Sequence, residues 1–325
     1  VRLAITGIGL VGSFGYKKKD ILKHFQNAAN PTKQTINTPF GKIDIPVFLA
    51  KTESLKKFTP LGKLRRVNHF SRLALLGAFL ALQDAKIDIK SQSIGLILAT
   101  GYGPAKTTFG FLDSLLDADI PLPSPNLFAN SVHNIAATNI AIFQNIKGPV
   151  LTISQLDLSF QSALFTAQIW LKQNLVETVL IGGVDEYCET IGYCHFRLLK
   201  NLKPHINLHD LPPLGEGAAF LCLSKQNNPK WGFLEILNTK EKNYNHTLRI
   251  FSEPLPYFVK NFSSSTNKTY LKFTKFYGQM PTALAFDISL SALILKNNLK
   301  LISNSQNLTQ VIVEDYQKNQ WKISL

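Results

Sequence analysis

Gly148-Pro149-Val150-Leu151-Thr152-Ile153-Ser154-Gln155-Leu156-Asp157-Leu158-Ser159-Phe160 reads as a turn, a strand and the start of a helix with nothing between them. The Gly-Pro pair opens the stretch and a β-branched and aliphatic run follows. The run then breaks into a helical pattern from about Ser159 to Leu171, apolar at Leu164, Ala167, Ile169 and Leu171, with Gln161, Gln168 and Lys172 on other faces. A strand that bends sharply into a helix is where α/β enzymes place a nucleophile. The bend lifts one side chain clear of the sheet, and the helix N-terminus offers unpaired N–H groups to an anion. Asp157 stands at this bend. A carboxylate is a poor acyl acceptor beside a thiol, so the stretch has the framework of a nucleophile site without the nucleophile.

Strands and helices alternate on either side of it. Ile94 to Thr100 reads as a buried strand closed by Gly101-Tyr102-Gly103-Pro104, and Thr178 to Gly183 as another, with Asp185 and Glu186 just past it. Gly215-Glu216-Gly217-Ala218-Ala219 turns into a third. Arg66 to Ala85 is a long, largely buried helix, Thr107 to Leu116 a helix rich in Phe and Leu, and Asn130 to Ile142 a helix with a small face. Pro121, Pro123 and Pro125 make Asp117 to Phe128 an irregular loop. The alternation predicts a mostly parallel sheet covered by helices on both faces. Beyond a seam near Ser224 the chain changes character. There Trp231 to Leu237 is a strand, Tyr277 to Leu295 an amphipathic helix, and Gln310 to Glu314 and Trp321 to Leu325 are terminal strands. No low-complexity linker separates the halves, 1–225 and 226–325, so they should pack as one body.

Gly7-Ile8-Gly9-Leu10-Val11-Gly12 fits a dinucleotide-binding pattern. That pattern needs a helix at its third glycine and an acidic residue after a second strand. Gly15 intervenes instead, and no Asp or Glu falls between Asp20 and Asp44, so we expect no nucleotide cofactor. The 325 residues can bury a large core. No apolar run is long enough to span a bilayer, and Val1 starts a strand-like segment with no signal-peptide pattern. Three cysteines point to a reducing cytoplasm, and Cys188, Cys194 and His195 lack zinc-ligand spacing, so no metal is expected. Lys and Arg outnumber Asp and Glu by 35 to 21, a formal charge of +14. The excess is dispersed rather than striped with aromatics, which argues against nucleic acid and leaves solvated lysine faces or an acidic carrier protein.

Five segments together resemble β-ketoacyl synthases of the thiolase fold: Thr6-Gly7-Ile8-Gly9, Asn130-Ser131-Val132-His133-Asn134, Gly148-Pro149 with Thr152 and Ser154, Gly182-Gly183-Val184-Asp185, and Gly215-Glu216-Gly217-Ala218-Ala219. The resemblance covers residues 1 to about 225 and implies two packed α/β halves, the second one shortened. In active members the bend carries an acylated cysteine, where this chain has Asp157. A Gly-His pair of the second half corresponds to Gly278-Gln279, so Gln279 replaces a histidine. His246 lacks the setting of the other family histidine, and Glu314 to Gln320 replaces a closing Gly-rich loop. Decarboxylative condensation needs a thiolate and two histidines for the enolate and oxyanion.

The pattern therefore looks like a chain length factor of a type II polyketide, aryl-polyene or fatty-acid-like synthase. Such a subunit is a cytoplasmic, non-condensing partner of a cysteine-bearing ketosynthase and of acyl carrier protein. The alternatives are a divergent active synthase or acyltransferase, and a carrier-binding scaffold. The resemblance places Val150, Leu151, Thr152, Ile153 and Ser154 at the dimer seam, with His133 and Asn134 in an interface loop. It turns Phe109, Leu112 and Leu116, together with Phe128, toward the partner's acyl tunnel, although that helix face could equally be plain core. We favour Asp157 as a helix N-cap or local hydrogen-bond partner over a catalytic base, and Gln155 should point away from the site.

Overall fold

The computed structural model describes residues 2–26, 30–39, 41–116, 123–202, 205, 211–237, 247–252, 271–297, 309–315 and 317–325. Its chain order is β1 (Arg2–Val11), α1 (Lys18–Gln26), β2 (Thr32–Thr38), β3 (Gly41–Phe48), α2 (His69–Ala85), β4 (Ile94–Ala99), α3 (Ala105–Leu116), α4 (Pro125–Asn130), α5 (Ile135–Gln144), β5 (Val150–Ile153) and α6 (Ser159–Lys172). It continues through β6 (Thr178–Asp185), α7 (Glu189–Leu202), β7 (Leu214–Gly215), β8 (Gly217–Ser224), β9 (Phe233–Leu237), β10 (Thr247–Phe251), α8 (Thr274–Tyr277), α9 (Ala283–Lys296), β11 (Gln310–Glu314) and β12 (Gln320–Ser324).

Nine strands form one sheet in the order β10-β11-β12-β9-β1-β8-β6-β4-β5. The strands of the two α/β lobes meet where β1 pairs with β9. The sheet is mixed, which corrects the expectation of mostly parallel sheets. Among the described residues only β4–β5, β4–β6 and β10–β11 of its pairs run parallel. The reason is β8, which returns antiparallel beside β6 and then pairs antiparallel with β1 on its other side. A period-two alternation fills both faces. Ile97, Val179, Ile181 and Leu221 face α6 and α9, whereas Leu96, Leu98, Leu180 and Phe220 face α2 and α5.

Three local expectations are revised. Residues Tyr277 to Leu295 are not one amphipathic helix: Gly278 at φ 85° breaks the run, and α9 is buried on every face from Ala283 to Leu295. A helix buried on every face belongs in an interior, and α9, its Asp287, Ser289 and Ser291 hydrogen-bonded there, packs against β8, β11, β12 and α6. Of the Pro-rich loop, residues 117–122 lie outside the described residues and 125–128 belong to α4, because Pro125 sits in the first turn and the Ser124 hydroxyl accepts from Leu127 N–H at 3.3 Å. Residues 131–134 then form a turn, so the helix expected from Asn130 starts at Ile135.

The Gly7–Gly12 pattern runs along β1, its third glycine just past the strand's end and followed by a turn rather than a helix. A Cβ on Gly9 would stand 2.0 Å from the Gly77 carbonyl oxygen, and one on Gly7 2.3 Å from that of Ala81. These glycines let β1 lie directly on α2. β2 and β3 pair antiparallel and are joined by β7 into a separate three-stranded sheet.

Candidate functional site

The turns that leave β4 and β5 converge with the segment between α8 and α9, and Asp185, at the end of β6, ties the first of these turns to that segment. One carboxylate oxygen accepts from the Thr100 hydroxyl at 3.0 Å and from the N–H groups of Gly101 at 2.9 Å and Tyr102 at 3.1 Å. The other accepts the N–H of Thr282 at 3.0 Å and its hydroxyl at 2.9 Å. Burial pushes the Asp185 carboxyl above the usual carboxylate range, against the pull of these donors. A Cβ on Gly101 would lie 2.2 Å from Pro281 Cβ and 3.5 Å from Leu156 Cα. The turn after β5 and the Gln279–Thr282 segment therefore meet over Gly101.

That turn is strained. Leu156 has φ 50°, a left-handed conformation that costs a branched side chain roughly 1–3 kcal/mol. Fully buried Ser159 secures it. Gln155 N–H donates to Ser159 Oγ at 2.8 Å, and the single hydroxyl proton reaches Leu156 O at 2.6 Å or Thr100 O at 2.9 Å. Asp157 is not the helix N-cap. A 3-10 turn, Leu156–Leu158, is inserted ahead of α6, so the cap falls on Leu158 and no side chain caps the helix. Asp157 is half-buried within this turn. Gln155 is exposed and its side-chain oxygen accepts from Ser162, pointing away as expected.

Gln279 follows Gly278. Its N–H donates to Pro213 O at 2.8 Å and its carbonyl accepts from Gly215 N–H at 2.9 Å. Its side-chain Oε1 is buried with no hydrogen-bond partner among the described residues. None of the three cysteines lies within the turn: Cys188 and Cys222 are buried, with burial pushing both thiols up, and Cys194 is exposed on α7. His246 lies outside the described residues. Among the described residues no group of three His, Cys, Asp or Glu could hold a metal ion, and no helix is long and apolar enough to cross a membrane.

A second cluster adjoins the first. Glu216 accepts from Ala50 N–H at 3.0 Å and Tyr187 N–H at 3.1 Å, and lies 3.0 Å from His69 Nε2. Burial pulls His69 down, but its bond to Glu216 and the charges of Glu216 and Glu186 carry it above the ordinary histidine value. Glu186 accepts from Lys106 N–H at 3.0 Å, and burial pushes its carboxyl up to about 7. A carboxyl raised in the native state holds a proton that the unfolded chain has already lost. Its contribution is full below about 4.5 and falls away as pH rises to about 7. Glu186→Gln keeps an acceptor but never ionises. It should match the wild type near pH 4.5 and be more stable at pH 8, by up to about 3 kcal/mol. Urea denaturation at the two pH values checks this, and a constant gap would mean that Glu186 does not titrate there.

A family model described as the β-ketoacyl synthase N-terminal domain matches residues 17–227. The chain belongs to the β-ketoacyl synthase family. A curated relative, the 3-oxoacyl-[acyl-carrier-protein] synthase 2 of Coxiella burnetii (strain RSA 493 / Nine Mile phase I), is 22% identical over 248 residues, 70% of this chain. The match spans 59% of that relative's length. Among solved structures, a β-ketoacyl synthase from Burkholderia phymatum STM815 is similar at TM-score 0.70 and 14% identity, over 100% of this chain and 99% of that one. The complex of a type II polyketide synthase acyl-carrier protein with its hexaketide-bound ketosynthase gives 0.68 at 13%, over 99% and 98%. The Xenorhabdus doucetiae ketosynthase ApeO in complex with its chain length factor ApeC gives 0.56 at 16%, over 100% of both chains. At such identities the likeness is one of fold, the thiolase-like fold of two packed α/β lobes.

Within this ketosynthase-family fold, β5 is the edge strand of the nine-stranded sheet opposite β10, with Val150 and Leu151 exposed and Thr152 and Ile153 half-buried. Ser154, His133 and Asn134 are also exposed. Phe109, Leu112, Leu116 and Phe128 are all exposed, Leu116 at 80% and Phe128 at 60%, so none is core of this chain. Sequence reasoning named Asp185 and Glu216 only as motif members and missed their partners. Thr282, Ser159 and His69 carry no local signal, because each acts across the fold.

Proposed function

We propose that the chain is a non-condensing ketosynthase-family subunit, a chain length factor of a type II polyketide or aryl-polyene-like system. It pairs with a cysteine-bearing ketosynthase, shapes that partner's acyl tunnel and works with acyl carrier protein. In this reading residues 1–225 form the ketosynthase-like half and 226–325 a shortened second half.

The observation that carries the reading is the uncovered edge at β5. An outer strand with unpaired backbone groups and an apolar face is an aggregation hazard unless a partner covers it. Helices α5 and α6 flank β5 and leave Ile142, Phe165 and Ile169 exposed beside Val150 and Leu151. Asp157 at the turn and Gln279 after Gly278 support the lack of condensation, since neither supplies a thiolate or an imidazole. Exposed Phe109, Leu112, Leu116 and Phe128 are suited to close a neighbour's tunnel.

The experiment is reconstitution with a co-encoded ketosynthase. A one-to-one complex should form, and Val150→Asp with Leu151→Lys should abolish it without unfolding the chain. Phe109→Ala, Leu112→Ala, Leu116→Ala and Phe128→Ala should leave the complex intact and lengthen its products by mass spectrometry. The lone chain, given acyl carrier protein thioesters, should gain no adduct between residues 150 and 165.

A second reading, a divergent active synthase or acyltransferase, is favoured by the retained strained turn and uncapped α6. A covalent acyl adduct on the lone chain would establish it and sink the first.

A further inference from the structure

A lysine-walled cleft lies between the N-terminus of α1 and the β1–α2 contact. Its volume is about 520 Å³, with Ile8, Leu10, Ile21 and Leu80 in its lining. Lys17, Lys18, Lys19 and Lys230 line it against the carboxylates of Asp20 and Asp84, four cations to two anions, which leaves a net charge of +2.

Two of these lysines are held in place. Asp84 is fixed by the Ile8 N–H at 2.9 Å and by the Trp231 indole N–H at 2.6 Å. The same carboxylate pairs with Lys18 and, at 2.7 Å, with Lys230, whose ammonium also donates to Asp84 O at 2.6 Å. The Lys18 ammonium stands 4.2 Å from the centre of the Trp231 ring. Burial lowers Lys18 below the ordinary lysine value more than Asp84 restores it, and neighbouring Lys230 adds to the lowering. One carboxylate thus serves two ammonium groups on the wall, while Lys17 and Lys19 are exposed at the rim. Fixed cations above an apolar lining fit an anion that carries a hydrocarbon body.

We propose that this cleft binds a small phosphate ester, its phosphate between Lys17, Lys18, Lys19 and Lys230 and its apolar part against the half-buried side chains of Leu80 and Tyr16. The proposal is independent of the β5 edge and of the turn at Asp157.

Hexyl phosphate, inorganic phosphate, hexanol and phosphatidylglycerol vesicles are the probes, titrated by calorimetry or sedimentation against the full chain, in complex with its ketosynthase if it requires one. Hexyl phosphate should saturate below millimolar concentration and at least tenfold more tightly than either phosphate or hexanol. Raising salt from 50 to 200 mM should weaken it severalfold. Lys17→Gln/Lys19→Gln should lose about tenfold with an unchanged melting temperature, because both side chains are exposed. Lys18→Gln should lose at least as much. Three results would overturn the proposal: no saturation by hexyl phosphate below millimolar, equal affinity in the Lys17→Gln/Lys19→Gln variant, or binding to the vesicles without binding to soluble hexyl phosphate.

Discussion

Asp185→Ala is expected to destabilise the chain by about 4–5 kcal/mol, a large share of the net stability of an ordinary domain. The carboxylate accepts from Thr100, Gly101, Tyr102 and Thr282, and all of these donors lie in a buried or part-buried setting. An unsatisfied buried donor costs about 1–3 kcal/mol, and the penalties do not add fully because the turns can relax toward water. Asp185→Asn should be intermediate. Its oxygen can serve the Thr100–Tyr102 side, but its amide then faces the Thr282 N–H, donor against donor. Urea midpoints of the three proteins test the order. A melting temperature for Asp185→Ala within a degree or two of wild type would mean that the turn after β4 and the Thr282 segment are held by something else. The result also bears on function, since the same carboxylate positions Gly101, over which the Asp157 turn and Gln279 segment meet.

Gly9→Ala should be comparably disruptive, by roughly 3 kcal/mol or more. The added methyl would sit 2.0 Å from the Gly77 carbonyl oxygen and 2.7 Å from Ala81 N, both backbone atoms of α2. Neither a rotamer change nor a local side-chain shift relieves such a clash, so β1 and α2 must separate along a contact that organises the core. Gly110→Ala is the control. It lies within α3 and a Cβ there meets nothing within 4 Å, so it should stabilise by about 0.5–1 kcal/mol. Thermal melts of both variants decide whether the glycines of β1 serve packing. A Gly9→Ala protein as stable as wild type would refute the close-approach account.

Local patterns alone determined much of this protein. The turn, strand and helix from Gly148 onward, the buried strands beginning at Ile94 and Thr178, and the long α2 follow from periodicity and β-branched runs, which depend on near neighbours in sequence. The motif residues placed Asp157 at the bend and pointed to the family. Strand direction was not legible, because the pairing of β8 between β6 and β1 is a long-range choice that leaves the same apolar pattern in either orientation. Nor was the interior position of α9, whose polar Asp287, Ser289 and Ser291 mimic a solvent face until their buried hydrogen-bond partners are known. The left-handed Leu156 and the inserted 3-10 turn arise from Ser159 gripping backbone drawn together from two strands. Only the tertiary structure could decide that Asp185 and Thr282 belong to one site, since residues 97 positions apart must first be folded against each other before their hydrogen bonds exist.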